Sequence, residues 1–225
     1  MVDIDKKTLA GYLDLANHRQ EATKEDIKAL CRKVLSHGFH AAFVNACYIT
    51  LAKDELGQGG IVGTVVSFPL GQDTKESKIA AATLCAKLGA DELDVSANVG
   101  YFKAGEWEKV QDEMCAIVQA AKTQKAGVIV KFIIETGHLN DEEIKRASQA
   151  VLASGADYVK TCSGMGPRGA TLKDVELVKS VVGGKIRIKV AGGVGNCEQA
   201  KAFIEAGADR IGTSHAVEIV EGIDK

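Results

Sequence analysis

Apolar residues along the chain form short, dense runs that alternate with longer segments of helical periodicity. Several runs are rich in Val and Ile, as in VIVKFIIET at 128–136, a pattern typical of parallel strands buried on both faces. Eight runs of this kind predict eight β-strands. They cover residues 12–17, 41–47, 61–68, 92–99, 128–136, 157–162, 186–192 and 209–214.

The segments between the runs have the features of helices. ATKEDIKALCRKVL has Thr23 as a candidate N-cap, and NDEEIKRASQAVLAS pairs Asn140 with Glu143 at a helix start. Three GAD segments follow helix-like stretches, and their glycines suit the positive φ found after a helix end. Eight strands alternating with helices favour a (β/α)8 TIM barrel over a doubly wound sheet. Since the sequence shows no linker, we predict a single domain over residues 1–225.

Composition and charge limit the functions that this barrel can serve. The chain is 46% hydrophobic and 26% charged with a net charge of -2, so it lacks the basic excess of a nucleic-acid-binding protein. Its apolar runs are too short to span a bilayer, and MVDIDKKTLAGYLDL lacks the pattern of a secretory signal. We therefore expect a cytoplasmic protein with neither nucleic acid nor membrane as a partner. The cysteines lack CxxC spacing, which predicts reduced thiols rather than disulfides or a zinc site.

Three lysines occupy predicted strands, where burial of a charge is costly, and two of them are the main candidates for chemistry. Lys160 lies in the sixth run and Lys189 in the seventh. If both side chains face the barrel interior, repulsion and desolvation would lower a lysine pKa and leave a neutral amine suited to attack on a carbonyl. Asp94, in the fourth run, could supply a carboxylate for proton transfer. Lys131, in the fifth run, is a rival nucleophile that we interpret as structural or supporting.

Glycine-rich segments follow the last two predicted strands. AGGVGN at 191–196 follows the seventh run, GTSHA at 212–216 follows the eighth, and each leads into a predicted helix. Glycine permits close backbone approach, and TIM barrels commonly bind phosphate at these two loops. The sequence therefore predicts a site for a phosphorylated small molecule.

Six segments together resemble the deoxyribose-phosphate aldolase family in order and spacing. They are GTVVSFPLGQDTKESK, ADELDVSANVG, VKFIIETGHLNDEE, YVKTCSGMGPRGAT, IKVAGGV and RIGTSHAVEIVEG. The resemblance runs from about residue 12 nearly to the C-terminus. It implies a class I, metal-independent aldolase without a cofactor, which cleaves 2-deoxy-D-ribose 5-phosphate reversibly to D-glyceraldehyde 3-phosphate and acetaldehyde in deoxyribose phosphate catabolism. It also implies a homodimer.

The resemblance assigns roles to individual residues. Lys160 matches the Schiff-base lysine, Lys189 the lysine that assists it, and Asp94 the acidic partner in the proton relay. Asp14 and Thr161 are expected to support the site. The predicted phosphate-binding residues are Gly192, Gly193, Gly212, Ser214 and His215.

The chain also departs from the family pattern. Ala16 stands where the family usually has threonine, His215 where a second serine is common, and Ser163 and Met165 replace the commoner residues after the lysine motif. These changes predict shifted specificity before loss of chemistry. Two other functions stay open: a class I aldolase for another phosphorylated sugar, and a non-catalytic sugar-phosphate-binding barrel. The remaining histidines lack ligand spacing and are predicted to be surface or satisfied core residues: His18, His37, His40 and His138.

Overall fold

Eight parallel strands close into a barrel in sequence order, with β1 paired to both β2 and β8. The computed structural model describes residues 4–224, so the ends of the predicted 1–225 domain, residues 1–3 and 225, lie outside the described residues. The strands are β1 Leu13–Asn17, β2 Ala41–Val44, β3 Val62–Val66, β4 Glu92–Ser96, β5 Ile129–Ile133, β6 Tyr158–Lys160, β7 Arg187–Ala191 and β8 Arg210–Thr213. Each falls inside a predicted run, and the TIM-barrel prediction is confirmed.

Helices cover the outside of the barrel between successive strands. In residues 4–224 they are α1 Lys6–Gly11, α2 Lys24–His37, α3 Ile49–Leu56, α4 Lys75–Lys87, α5 Val99–Ala104, α6 Trp107–Gln124, α7 Asp141–Ala153, α8 Leu172–Val182, α9 Cys197–Ala206 and α10 Ala216–Glu221. Short 3₁₀ turns occupy Ala46–Tyr48, Thr136–His138 and Gly222–Asp224. The predicted caps are confirmed, because Thr23 and Asn140 each form a capping box with the acidic residue three positions later.

The hydrophobic core lies between the barrel and its helices, because strand side chains alternate between the two faces. In β4, Leu93 and Val95 belong to this outer core, whereas Glu92 and Asp94 alternate with them and face the interior. The interior of the barrel is therefore partly polar. It holds the ionisable side chains on which the candidate site is built.

The aspartates of the three GAD segments fasten the amino-terminal end of the barrel. Asp157 donates its N–H to Val130 O at 2.8 Å, and its Oδ2 accepts the Val130 N–H at 2.8 Å. Asp91 makes the same pair of bonds with Val62, and Asp209 makes it with Ile188. Each aspartate thus extends the ladder to the neighbouring strand before its own strand begins. The sequence predicted the role of the glycines, which have φ of 106°, 79° and 116°, but not that of the aspartates.

Within the described part of the chain, no helix combines the length and apolar character needed to cross a bilayer.

Removal of one GAD carboxylate should weaken the barrel measurably. We expect Asp157→Ala to lower the free energy of unfolding by about 1–3 kcal/mol, because the buried Val130 N–H loses its acceptor. Urea denaturation followed by circular dichroism measures the change. Asp73→Ala, at an exposed bend between β3 and α4, is the control, with an expected change within about 0.5 kcal/mol. Equal effects of the two substitutions would contradict this role.

Candidate active site

A cavity of about 760 Å³ opens where the strands end. TIM barrels place their active sites at this end. Seven of the predicted site residues line the cavity: Lys160, Lys189, Gly192, Gly193, Gly212, Ser214 and His215. The other three, Asp14, Asp94 and Thr161, are fully buried next to lining residues. The structure therefore brings the whole predicted set to one place.

Asp94 is the centre of the buried charge network. Lys160 Nζ donates a hydrogen bond to its Oδ2 at 2.7 Å, and Lys189 Nζ lies 2.8 Å from the same oxygen. Lys131 Nζ donates to Oδ1 at 3.1 Å. Burial would raise the pKa of Asp94, but these three ammonium groups outweigh it and hold that pKa well below its ordinary value. Asp94 is therefore an anion throughout the neutral pH range.

Lys160 has the electrostatic properties that were predicted for it. It lies opposite Lys189 in the register of β6 and β7, and only 4% of its surface is exposed. Burial lowers the pKa of Lys160 to about 8; Asp94 opposes this shift, and the charge of Lys189 adds to it. Roughly a tenth of Lys160 is therefore a free amine at pH 7. The sequence anticipated the repulsion but not the direct bond to Asp94.

Lys131 differs from Lys160 although both are buried strand lysines. Its Nζ bonds to the carboxylates of Glu92 and Asp94. Burial would lower the pKa of Lys131, but Asp94 and Glu92 raise it above the ordinary value. Lys131 therefore remains protonated at neutral pH, which argues against a nucleophilic role and fits its interpretation as a supporting residue.

Lys189 is held by two carboxylates and an aromatic ring. Its Nζ lies 2.7 Å from Asp14 Oδ2, 2.8 Å from Asp94 Oδ2 and 3.4 Å from the centre of the Phe43 ring. A Cβ at position 212 would lie 2.9 Å from Lys189 Cε. Gly212, predicted to bind phosphate, therefore also makes room for this lysine.

Asp14, His40 and Glu92 bring one potential metal ligand each to within 4.8 Å of one another. Asp14 lies in β1, Glu92 lies in β4 and His40 directly precedes β2. Because the three residues are far apart in the sequence, their spacing could not reveal this cluster. Both carboxylates already pair with ammonium groups, Asp14 with Lys189 and Glu92 with Lys131. His40 Nε2 bonds to Glu92 at 2.9 Å. A divalent cation would have to compete with two fixed positive charges here.

The loop after β7 is shaped by its two glycines and by Thr161. Gly192 and Gly193 have φ of 89° and 84°, a conformation that favours glycine. A Cβ on Gly192 would lie 3.2 Å from Cys162 Cβ, so the glycine also permits close contact with the loop after β6. Thr161 Oγ1 donates to Ala191 O at 3.3 Å and accepts from Ala191 N at 3.2 Å. It thereby fixes the start of this loop.

Ser214 and His215 are exposed side chains at the mouth of the cavity. Thr213 positions them, because its Oγ1 accepts the His215 N–H at 3.0 Å and donates to Val194 O at 2.7 Å. These bonds join the loops after β7 and β8, which were predicted to share one phosphate. Sequence analysis did not single out Thr213, since a threonine at a strand end has no distinctive local signal.

The loop after β6 is held by residues that the sequence analysis also missed. Arg168 donates to both carboxylate oxygens of Asp174, at 2.6 and 3.0 Å, and to Thr136 O at 3.0 Å. Glu135 Oε2 accepts the Ser163 N–H at 3.1 Å. The contacts with Thr136 and Glu135 join residues 32 and 28 positions apart, so they leave no local sequence pattern. The Arg168–Asp174 pair spans only six positions, and the sequence analysis did not single it out.

His18 is a correction to the sequence analysis, which placed it at the surface or in a satisfied core. It lines the cavity just beyond β1, and its buried Nδ1 has no hydrogen-bond partner among the described residues. Its ring lies 5.3 Å from that of Phe68. Burial, followed by the charge of Lys160, lowers the pKa of His18 to about 3, so the imidazole is neutral.

The sequence profile described as DeoC/LacD family aldolase matches residues 1–219. The chain belongs to this family. A deoxyribose-phosphate aldolase of Thermococcus kodakarensis is 43% identical over 222 residues, which are 97% of this chain and 98% of the relative.

Solved structures of aldolases have the same fold as this DeoC/LacD family chain. The structure described as QR15, an aldolase, has 36% identity and a TM-score of 0.88, with 98% of this chain and 96% of that chain covered. A tetrameric deoxyribose phosphate aldolase of Aeropyrum pernix has 30% identity and a TM-score of 0.90, with 98% and 93% covered.

The lowered pKa of Lys160 can be measured by its reactivity. We expect reductive methylation with formaldehyde and cyanoborohydride, resolved by peptide mass spectrometry, to label Lys160 at a rate that rises with pH and levels off above about pH 8. Exposed lysines ordinarily have a pKa near 10.4, so labelling of the surface lysines should keep rising beyond that point. Lys131 should stay unlabelled in the folded protein. Identical pH profiles for Lys160 and the surface lysines would contradict the lowered pKa.

Proposed function

We propose that the protein is a class I aldolase that cleaves 2-deoxy-D-ribose 5-phosphate reversibly to D-glyceraldehyde 3-phosphate and acetaldehyde. The observation that carries the proposal is Lys160, a buried lysine of lowered pKa that reaches the floor of the cavity and bonds to Asp94. Relatives that align over nearly their whole length carry the name deoxyribose-phosphate aldolase, which supports this substrate.

In the first step, the neutral Nζ of Lys160 adds to the C1 aldehyde of the open-chain sugar. Loss of water gives an iminium ion, which carries the same charge as the protonated lysine. Asp94 therefore keeps a cationic partner at 2.7 Å, and the charge balance of the site is preserved. Because burial lowers the pKa of Lys160 to about 8, little free energy is needed to form the neutral amine at pH 7.

In the second step, the C2–C3 bond breaks. Its electron pair moves into the iminium to form an enamine, and the C3 hydroxyl loses its proton as D-glyceraldehyde 3-phosphate leaves. Asp94 and Lys189 lie next to Lys160 and would move this proton, with a water molecule between them and the sugar. Protonation of the enamine at C2 and hydrolysis of the iminium then release acetaldehyde and restore Lys160.

The phosphate would lie at the loops after β7 and β8. Gly192 and Gly193 leave the backbone of the first loop open to close approach, and Ser214 and His215 present polar side chains from the second. Binding of the phosphate at these two loops would hold C1, at the other end of the sugar, near Lys160.

The structure also bears on the two alternatives. A non-catalytic barrel would gain nothing from three buried lysines around one carboxylate, because their desolvation is costly. A class I aldolase for another phosphorylated sugar is favoured by one observation: Ala16 and Met165 line the sugar cavity at positions that depart from the family pattern.

Four further properties are proposed on the resemblance. They are activity without a metal ion, a role in deoxyribose phosphate catabolism, a cytoplasmic location and assembly as a homodimer. The Aeropyrum pernix relative is described as a tetramer, so assembly differs within the family if the dimer is correct.

Borohydride trapping tests the iminium mechanism. After incubation with acetaldehyde and reduction, we expect an ethyl group on Lys160 in peptide mass spectra, and we expect Lys160→Leu to lose both the adduct and cleavage activity. Lys131→Met is the matched control, because it removes a different buried lysine. Lys160 should still form the adduct in that variant. A folded protein without an adduct on Lys160 would exclude the class I mechanism and favour the binding barrel.

The phosphate site is tested by comparing two sugars. We expect Ser214→Ala to raise KM for 2-deoxy-D-ribose 5-phosphate by roughly 10-fold to 100-fold, the value of a hydrogen bond to a charged group, and to leave KM for 2-deoxy-D-ribose unchanged. Ser180→Ala, on the exposed face of α8, is the control. Equal changes for both sugars would contradict the assignment. Cleavage of a different phosphorylated sugar in preference to this one would establish the alternative aldolase.

A further inference from the structure

His18 is a polar side chain in the cavity wall that the proposed chemistry leaves without a role. It follows Asn17, the last residue of β1, and lies in the cavity wall together with Lys160 and Lys189. Phe68 lies next to both His18 and Lys160. Its ring centre is 5.3 Å from the centre of the His18 ring and 6.0 Å from Lys160 Nζ. The imidazole thus lies at the end of the cavity where the sugar would react.

The imidazole also has an unused hydrogen-bonding position. The side chain of Asn45 interacts with the ring, yet Nδ1 is buried and has no partner in residues 4–224. A buried polar atom without a partner is destabilising, because it has lost its hydrogen bonds to water and gained none in return. An atom of this kind in a cavity wall is best explained by a partner that arrives with the ligand.

The charge state of the imidazole indicates which kind of chemical group would hydrogen-bond to His18 Nδ1. Burial lowers the pKa of His18, and the charges of Lys160 and Lys189 lower it further, so the ring is uncharged when substrate binds. A neutral imidazole has one donor and one acceptor nitrogen, which suits a hydroxyl group rather than a phosphate. The phosphate is moreover assigned to the loops after β7 and β8. The partner is therefore a hydroxyl of the carbon chain.

The His18 ring lies at the Lys160 end of the cavity, so its partner is the sugar hydroxyl nearest to that lysine. With C1 joined to Lys160 and the phosphate on C5, the C3 oxygen is nearer to the amine than the C4 oxygen is. We propose that His18 hydrogen-bonds the C3 oxygen of the phosphorylated sugar, which is a hydroxyl before C2–C3 cleavage and an aldehyde oxygen after it. His18 would orient this oxygen while its proton passes to the Asp94 and Lys189 side. This inference rests on the proposed aldolase function.

Two variants separate hydrogen bonding from packing. His18→Phe keeps an aromatic ring beside Phe68 but removes both nitrogens, whereas His18→Gln keeps a donor and an acceptor. We expect His18→Phe to lower kcat/KM for cleavage of 2-deoxy-D-ribose 5-phosphate by roughly 10-fold to 100-fold, and His18→Gln to recover part of the loss. Acetaldehyde contains no C3 oxygen, so borohydride trapping on Lys160 should be unchanged in both variants.

Synthesis with two acceptors identifies the oxygen. Glyceraldehyde 3-phosphate and 3-oxopropyl phosphate both supply the C3 oxygen, but only the first supplies a C4 hydroxyl. We expect His18→Phe to slow addition of acetaldehyde to both acceptors by a similar factor. A loss confined to glyceraldehyde 3-phosphate would assign His18 to the C4 hydroxyl and overturn the inference.

Other outcomes separate the inference from the proposed function. Slower trapping in His18→Phe would show that His18 acts on Lys160, and unchanged cleavage in that variant would show only packing; each overturns the C3 assignment while the aldolase stands. No adduct on Lys160 in the unaltered protein would remove the proposed function and this inference with it.

Discussion

The site depends on one carboxylate, Asp94, that is shared by three buried ammonium groups. In the barrel interior each ammonium would be too costly to bury without an anion, and the anion would be too costly without them. The three lysines are not equivalent. Lys131 and Lys189 each have a second carboxylate, in Glu92 and Asp14, whereas Asp94 is the one carboxylate paired with Lys160 among residues 4–224. Lys160 therefore loses its proton more easily than Lys131, whose ammonium group keeps Asp94 compensated when it does.

This charge network is tolerated because the stabilising apolar contacts lie elsewhere. The outward residues of the strands, such as Leu93 and Val95, pack in the core between barrel and helices. The inward residues of the same strands are then free to be polar without loss of that core. Strand alternation thus separates stability from chemistry within a single element, as β4 shows with Leu93 facing the helices and Asp94 facing the lysines. The GAD aspartates add support at the opposite end of the barrel from the cavity.

The sequence predicted what depends on local periodicity and position along a strand. The strands follow from apolar runs, and the facing of Lys160 and Lys189 follows from alternation on neighbouring strands. The partners of Lys131 could not be predicted in this way, because its two carboxylates lie on β4 and their contact is decided by the register between strands. His18 was missed for a related reason. It follows β1 in an irregular segment, where periodicity gives no information about which way a side chain points.

Chemistry and specificity are located in separable parts of the site. The lysines and Asp94 lie on strands whose positions are fixed by the barrel ladder, and changes at the cavity rim do not alter that register. Among the departures from the family pattern, His215 and Met165 are on loops at the rim, and Ala16 is in the cavity wall. None of them contacts Asp94 through an ion pair or hydrogen bond. In the proposed site the loops after β7 and β8 would hold the phosphate end of the substrate, so variation there would change which sugar fits while the amine keeps its environment.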